Sequence, residues 1–125
     1  MFPGNARIGT MKLYVWNQVE NEQMNPRVAR RAVHGENLTI ARLEIKKDAV
    51  VPEHSHINEQ IAMVETGALK FFIEGQELIV RGGETLVIPP NVPHGVEALE
   101  DTTVIDVFSP AREDWLRGDD AYLRR

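Results

Sequence analysis

The sequence predicts an all-β domain built as a sandwich or a barrel. Successive apolar runs begin about every eight residues between residues 60 and 90, and each run is closed by Gly or Pro. Such evenly spaced short strands are typical of sandwiches and barrels. Before residue 109 the chain has no long apolar stripe with helical spacing. With 125 residues, of which 42% are apolar, the chain is long enough for one domain with a single core.

Strands are also expected on both sides of this group. Short apolar runs bounded by turn residues predict these further strands at residues 12–16, 27–33, 38–46 and 102–108. A turn is expected at residues 34–37, where His34 precedes Gly, Glu and Asn, and His34 is interpreted as an ordinary surface residue.

The apolar pattern changes within the predicted strand at residues 38–46. Leu38 and Ile40 share one parity, whereas Leu43 and Ile45 share the other. A strand with one buried face keeps a single parity. We therefore expect either a bulge near residues 41–42 or burial of both faces.

The two ends of the chain differ from this strand-rich middle. Residues 1–11 are predicted to form a flexible N-terminal tail, with Met11 as an alternative start, ahead of a single domain at residues 12–125. At the other end, Ser109 stands at an N-cap position, Pro110 at the first helical position and Gly118 at the end. This pattern predicts a short C-terminal helix or helical turn.

Composition restricts the function. The 14 basic and 19 acidic residues give a net charge of -5, which argues against nucleic acid or an anionic membrane as partner but allows an acidic small molecule. The chain has no Cys, so a metal would be held by His, carboxylate, amide or water. No apolar run approaches the roughly 18 residues of a membrane span, and no signal peptide is recognisable, so a cytoplasmic protein is expected.

The strongest local signal is the pair His54 and His56, because the chain has only 4 His. The two imidazoles project to the same side of an extended backbone. Gln60 is the next candidate ligand on that parity, whereas Glu59 should point away. His94 follows a Pro-rich turn that would fix its direction. These residues predict a metal site.

A second candidate group lies at the end of the last strand. Asp106 shares one face of that strand with Val104 and Phe108. A carboxylate among apolar neighbours is costly unless it is paired, protonated or functional. Arg112 lies shortly beyond, so a structural Asp106–Arg112 ion pair and a catalytic pair are both open.

The two histidine motifs resemble those of the cupin superfamily over roughly residues 28–108. The matching residues are His54, His56, Gln60 and Gly67 in the first motif and Gly83, Pro89 and His94 in the second. The resemblance implies an antiparallel jelly-roll β-barrel with one divalent transition metal inside, whether Zn, Ni, Mn, Fe or Cu.

Gln60 stands where most cupins carry Glu. An amide neither neutralises the metal nor accepts a proton, which disfavours a mechanism that uses this ligand as base. Together with the segment at residues 106–116, it makes the chain similar to the KdgF-type cupins of pectin and alginate breakdown. That resemblance implies metal ligands at His54, His56, Gln60 and His94, and functional roles for Asp106, Phe108 and Arg112.

These cupins convert 4,5-unsaturated monouronates, which polysaccharide lyases release, to linear ketonised sugars. The resemblance implies that Asp106 shuttles a proton, that Arg112 grips the substrate carboxylate by a bidentate pair, and that Phe108 forms an apolar wall. Two alternatives remain: a metal-dependent dioxygenase, and a non-catalytic cupin that binds a sugar or another ligand.

The second face of the last strand predicts an assembly. Ile105 and Val107 lie on it, and a barrel covers only one face of each strand. We expect a homodimer, in which residues 12–16 cross to the partner. Cover by the segment around Trp115 and Leu116 is the intramolecular alternative.

Overall fold

A computed structural model describes residues 6–125. Its strands are β1 Ala6–Ile8, β2 Met11–Leu13, β3 Glu22–Asn25, β4 Val28–His34, β5 Thr39–Ile45, β6 Val50–His54, β7 Glu59–Thr66, β8 Ala68–Ile73, β9 Gln76–Arg81, β10 Thr85–Ile88, β11 His94–Ala98 and β12 Thr102–Ser109. One α-helix, α1, covers Glu113–Leu116, and 3-10 turns cover Trp16–Gln18 and Ala121–Leu123. Within the described residues, no helix is both long and apolar enough to cross a membrane.

The strands form two main sheets with antiparallel pairing between all neighbours described. The larger sheet has the order β10-β7-β12-β5-β4-β3 and the smaller one the order β6-β11-β8-β9. Both sheets send alternate apolar side chains into one core, including Leu43, Val64, Val104, Leu69 and Phe71. This arrangement agrees with the expected all-β jelly-roll architecture, although the ladders do not close the sheets into one barrel within residues 6–125.

The four evenly spaced runs are confirmed as β7, β8, β9 and β10. The short strands β1, β3, β6 and β11 were not predicted, and β6 and β11 carry site residues. Strand β6 contains Pro52, which is tolerated because β6 lies at the edge of its sheet. Strand β11 contains Gly95 beside a register shift between His94 and Val96. Pro and Gly obscure the strand signal in the sequence.

Neither of the two alternatives for the strand at residues 38–46 is found, because β5 has no bulge and only one of its faces is buried. Strand β5 keeps a continuous register with β4 and with β12. Its buried face consists of Thr39, Ala41, Leu43 and Ile45, and Leu38 lies before the strand and is 51% exposed. The break in parity arose because the small residues Thr39 and Ala41 carry the buried face at the start of the strand.

The N-terminal expectations are modified. Of the predicted tail, residues 1–5 lie outside the described part, and β1 pairs with β2 in an exposed hairpin. The strand expected at residues 12–16 ends at Leu13, and Trp16 begins a 3-10 turn. The division into a tail and a domain starting at residue 12 stays a prediction.

The C-terminal helical turn is confirmed, but its predicted cap is wrong. Ser109 still pairs with Glu59 as the last residue of β12, so its backbone belongs to the sheet and cannot cap a helix. Helix α1 begins at Glu113 with Arg112 in the cap position. Gly118 follows the helix with φ +82°, a left-handed conformation that favours glycine.

The last residues of the chain pack back onto the domain. Trp115 and Leu123 are buried. Asp120, which is 1% exposed, accepts hydrogen bonds from Arg30 at 2.9 Å and from Arg124 at 3.1 Å. This anchorage brings the segment that follows α1 to one end of the space between the sheets.

Candidate metal centre

Three histidines converge where the two sheets meet. His54 ends β6, His94 begins β11 opposite it in the ladder, and His56 lies in the loop that leads to β7. One candidate nitrogen from each ring lies within 4.8 Å of the others. His34 lies outside the group, half-buried, with its Nδ1 2.8 Å from the hydroxyl of Thr39. The cluster is therefore a candidate site for a divalent metal.

The protein backbone fixes the tautomer of all three rings. Each Nδ1 lies at 2.8–2.9 Å from a carbonyl oxygen two residues away, those of Pro52, Asn58 and Val92. A carbonyl only accepts, so each Nδ1–H donates and each Nε2 keeps a free electron pair. The Nε2 of His94 is buried without a hydrogen-bond partner. Such an unpaired acceptor fits a bound cation.

The histidines are also kept neutral. Burial lowers the pKa of His54 to about 4, and it lowers the pKa of His56 and His94 as well. The positive charge of Arg112 acts in the same direction on all three. Neutral imidazole is the form that binds a metal, so these rings need not lose a proton first.

Gln60 brings an oxygen to the same group. Its Oε1 lies 3.1 Å from Nε2 of His56, while its amide nitrogen donates to Oδ1 of Asp106 at 3.0 Å. Two acceptors in contact are satisfied when a cation lies between them. Three imidazole nitrogens and one amide oxygen suit a divalent transition metal. Glu59 is exposed, as expected.

The route by which Gln60 reaches the histidines differs from the one expected. It was assigned on strand parity with His54 and His56, as if one extended segment carried all three. Instead the chain turns after His56, and Gln60 lies on β7 in the larger sheet, whereas His54 lies on β6 in the smaller one. The candidate centre therefore joins the two sheets.

Asp106 lies behind Gln60 in an apolar setting. Its neighbours across the sheet are Ala41 and Ala62, both fully buried. Burial raises the pKa of Asp106 to about 6, against the opposing effects of the Gln60 hydrogen bond and the Arg112 charge. A carboxyl with such a pKa can exchange a proton near neutral pH.

Arg112 is 1% exposed and held between aromatic rings. Its guanidinium carbon lies 4.7 Å from the ring centre of Phe108 and 4.4 Å from that of Trp115. Its Nε and Nη2 donate to the two oxygens of Asp114 at 2.9 and 2.7 Å. Asp114 therefore occupies one of the two bidentate edges of the guanidinium, the edge formed by Nε and Nη2.

The Asp106–Arg112 ion pair considered from the sequence is not among the ion pairs of the described residues, and that alternative is wrong. Asp106 bonds Gln60, and Arg112 bonds Asp114. The reason is local, since Arg112 caps α1 and Asp114 lies in its first turn.

Phe108 supports this arrangement from inside. It is 2% exposed and meets the rings of His56 and Trp115 edge-on, at centre distances of 5.7 and 5.1 Å. Phe108 is therefore a core residue that contacts the histidine cluster with one part of its ring and stacks against the Arg112 guanidinium with its face.

Tyr122 was not singled out from the sequence. Its ring stacks on His54 at 4.4 Å with an interplanar angle of 25°. Its hydroxyl oxygen accepts hydrogen bonds from Nη2 of Arg112 at 2.6 Å and from Nε1 of Trp115 at 3.2 Å. The sequence signal is weak, because it consists of one aromatic residue in a short polar segment.

These side chains surround a small cavity. Its volume is about 50 Å³, room for roughly three or four water molecules. The predicted site residues that line it are His54, Gln60, His94, Asp106, Phe108 and Arg112, and Tyr122 lines it too. His56 reaches the group through its contact with Gln60.

The chain is similar to known proteins in sequence and in fold. The cupin domain model matches residues 41–108. The chain is 31% identical over 108 residues to the pectin degradation protein KdgF of Dickeya dadantii (strain 3937), an alignment covering 84% of this chain and 98% of that protein.

Two solved structures extend the likeness to the fold. KdgF from Halomonas sp. superimposes with a TM-score of 0.75 at 31% identity, covering 81% of this chain and 96% of that one. An RmlC-like cupin from Shewanella frigidimarina NCIMB 400 gives a TM-score of 0.75 at 25% identity, covering 89% and 97%. With two antiparallel sheets around a histidine cluster, and with matches at these lengths, the chain belongs to the cupin family.

Proposed function

We propose that the protein is a metal-dependent enzyme that opens and ketonises 4,5-unsaturated monouronates released by polysaccharide lyases. The observation that carries the proposal is Asp106, a buried carboxyl that bonds Gln60 and lines one cavity with His54, His94 and Arg112. The likeness to pectin degradation proteins supports the substrate class.

The chemistry is an isomerisation in which one proton moves. Asp106 takes the proton of the anomeric hydroxyl, the carbonyl forms at that carbon, and the bond to the ring oxygen breaks. The ring oxygen leaves as an enolate, whose carbon then receives the proton from Asp106. A divalent ion held by His54, His56, Gln60 and His94 would supply Lewis acidity toward a substrate oxygen.

Arg112 and Phe108 would orient the substrate. Because Asp114 occupies the Nε/Nη2 edge of Arg112, a substrate carboxylate would take the other edge, formed by Nη1 and by the Nη2 hydrogen now directed at Tyr122. Phe108 would present an apolar wall and fix the guanidinium from behind.

One observation favours a non-catalytic alternative, a cupin that binds an acidic sugar. Asp106 orients Gln60 through their hydrogen bond, which would be reason enough for a carboxylate at that position. The dioxygenase alternative has weaker support, because Gln60 cannot act as a base.

Turnover separates these functions. Purified protein loaded with metal is incubated with 4,5-unsaturated galacturonate, and loss of the enol-ether absorbance is followed. We expect loss above the spontaneous rate, with a linear keto product by NMR. Binding without accelerated loss would favour the binding cupin, and oxygen consumption by the Fe(II) form would favour the dioxygenase.

We also propose that the protein is a homodimer that buries the outer face of the larger sheet. Five neighbouring strands align an apolar row across that face, namely Val33, Ile40, Val107, Ile61 and Val87. The intramolecular alternative is wrong, because Trp115 is buried in the core and Leu116 is 63% exposed. Val87 is 55% exposed and the other four are partly buried, so a partner surface would complete the burial of this row.

A further inference from the structure

The hydroxyl of Tyr122 occupies a position between two N–H donors. Arg112 Nη2 lies 2.6 Å from it and Trp115 Nε1 lies 3.2 Å from it. Nη2 carries two hydrogens, of which one is directed at Asp114 and the other at Tyr122. The two donors form a site for one oxygen atom, and in this structure the phenol fills it.

The same ring limits access to the histidines. Tyr122 stacks on His54 at 4.4 Å and lines the cavity of about 50 Å³. A cavity with room for roughly three or four waters does not admit a sugar acid. A ligand that places an oxygen on Arg112 Nη2 and Trp115 Nε1 beside the histidines must therefore displace the phenol.

The backbone on both sides of Tyr122 is firmly held. Asp120 is ion-paired with Arg30 at 2.9 Å, Leu123 is 6% exposed, and the Leu123 carbonyl accepts a bond from Asn25 at 3.1 Å. Tyr122 itself is only half-buried. Rotation of the Tyr122 side chain alone breaks fewer contacts than displacement of the whole segment.

We propose that Tyr122 is an internal competitor of the ligand, a side-chain gate whose hydroxyl holds the oxygen position on Arg112 and Trp115 until a carboxylate replaces it. The proposal rests on the proposed function for the identity of that carboxylate. Exchange is favourable because a carboxylate oxygen is a stronger acceptor for guanidinium than a neutral phenol oxygen.

The gate makes a directional prediction for Tyr122→Phe. Without the hydroxyl, the ligand no longer competes for Arg112 and Trp115, so its affinity should rise. The expected gain is about 3- to 10-fold in Kd, the net effect of losing one or two hydrogen bonds in the free state. If Tyr122 merely shaped the site, the substitution would leave the affinity unchanged. If its hydroxyl bound the ligand, the affinity would fall.

Binding is measured with a probe that the enzyme cannot turn over. The chain has 2 Trp, so Trp16→Phe leaves Trp115 as the sole fluorescent reporter beside the gate. In that background the full-length, zinc-loaded protein is titrated with D-galacturonate, with and without Tyr122→Phe. The matched control is Tyr14→Phe, which alters the other tyrosine, one that is 40% exposed. Thermal unfolding checks that each variant is folded.

The gate predicts a 3- to 10-fold lower Kd in Tyr122→Phe and an unchanged Kd in Tyr14→Phe. An unchanged or higher Kd, or no saturable binding by Tyr122→Phe, overturns it. Turnover of unsaturated galacturonate separates the two proposals. If Tyr122→Phe binds D-galacturonate more tightly but neither the wild type nor any variant turns over unsaturated galacturonate, the gate is supported and the proposed function is rejected. Turnover with neither Kd nor KM altered by Tyr122→Phe keeps the function and rejects the gate.

Discussion

The amide nitrogen of Gln60 donates a 3.0 Å hydrogen bond to Asp106, which turns the amide oxygen toward His56. One contact thus links the orientation of a candidate metal ligand to the carboxyl proposed to move the proton. Substitutions at Asp106 can separate the two roles, because asparagine keeps an acceptor for Gln60 and alanine does not.

Metal affinity should therefore respond differently to two changes at Asp106. Asp106→Ala removes the partner of Gln60 and should weaken zinc binding about 10- to 100-fold, whereas Asp106→Asn should leave it near the wild-type value. Competition with a chromophoric chelator measures both. The control is Asp119→Asn, at a position where the side chain is 67% exposed. Equal affinity in the alanine variant and the wild type would contradict the orienting role.

Zinc should stabilise the protein through the histidine cluster. At 100-fold excess over Kd the expected gain in free energy of unfolding is about 2.7 kcal/mol, seen as a rise in Tm. His94→Ala should abolish the rise, because it removes the buried unpaired nitrogen. His34→Ala is the matched control and should keep it. An equal rise in both variants would place the zinc elsewhere.

The part of this site that the sequence predicts depends on how far apart in the sequence the contacting residues are. The His54–His56 spacing and the turn before His94 are local patterns, and the resemblance of both motifs to those of cupins is what implied that they converge. The Tyr122–His54 stack depends on where the end of the chain docks, which no periodicity encodes.

The fold shows the same division. Evenly spaced apolar runs closed by Gly or Pro predict β7 to β10, whereas Pro52 and Gly95 interrupt the short strands β6 and β11 and hide their signal. The expected cap at Ser109 failed because pairing with β7 extends β12 through that residue. In each failure, sheet pairing overrode a local preference.

Acid should weaken the anchorage of the C-terminal segment. Although burial opposes it, hydrogen bonds from Arg124 and Arg30 lower the pKa of Asp120. A carboxyl with a lowered folded-state pKa contributes stability above its unfolded pKa of about 3.9, and that stability is lost as pH falls toward the folded value.

Asp120→Asn should accordingly cost roughly 3–5 kcal/mol at pH 7, since it breaks a buried ion pair. The difference from wild type should shrink as the pH is lowered below about 4. Urea unfolding at several pH values measures both quantities, with Asp119→Asn as the control. A difference that is constant with pH would mean that Asp120 acts through packing alone.

The apolar row on the larger sheet predicts the assembly. Light scattering should give twice the 14.1 kDa chain mass at micromolar concentration. Ile61→Glu, within the row, should produce a folded monomer, because it places a charge in the interface. Leu78→Glu on β9 of the other sheet, at a site 46% exposed, should leave the dimer intact. A monomeric wild type would contradict the dimer.

The central claim is that Asp106 moves the proton in ring opening. Its most direct test is the initial rate of enol-ether loss from 4,5-unsaturated galacturonate, with wild type and Asp106→Asn compared at equal measured zinc content. Since asparagine keeps the bond to Gln60 but cannot carry the proton, the rate should fall about 10²- to 10⁴-fold. A rate in Asp106→Asn equal to that of an active wild type would contradict the claim.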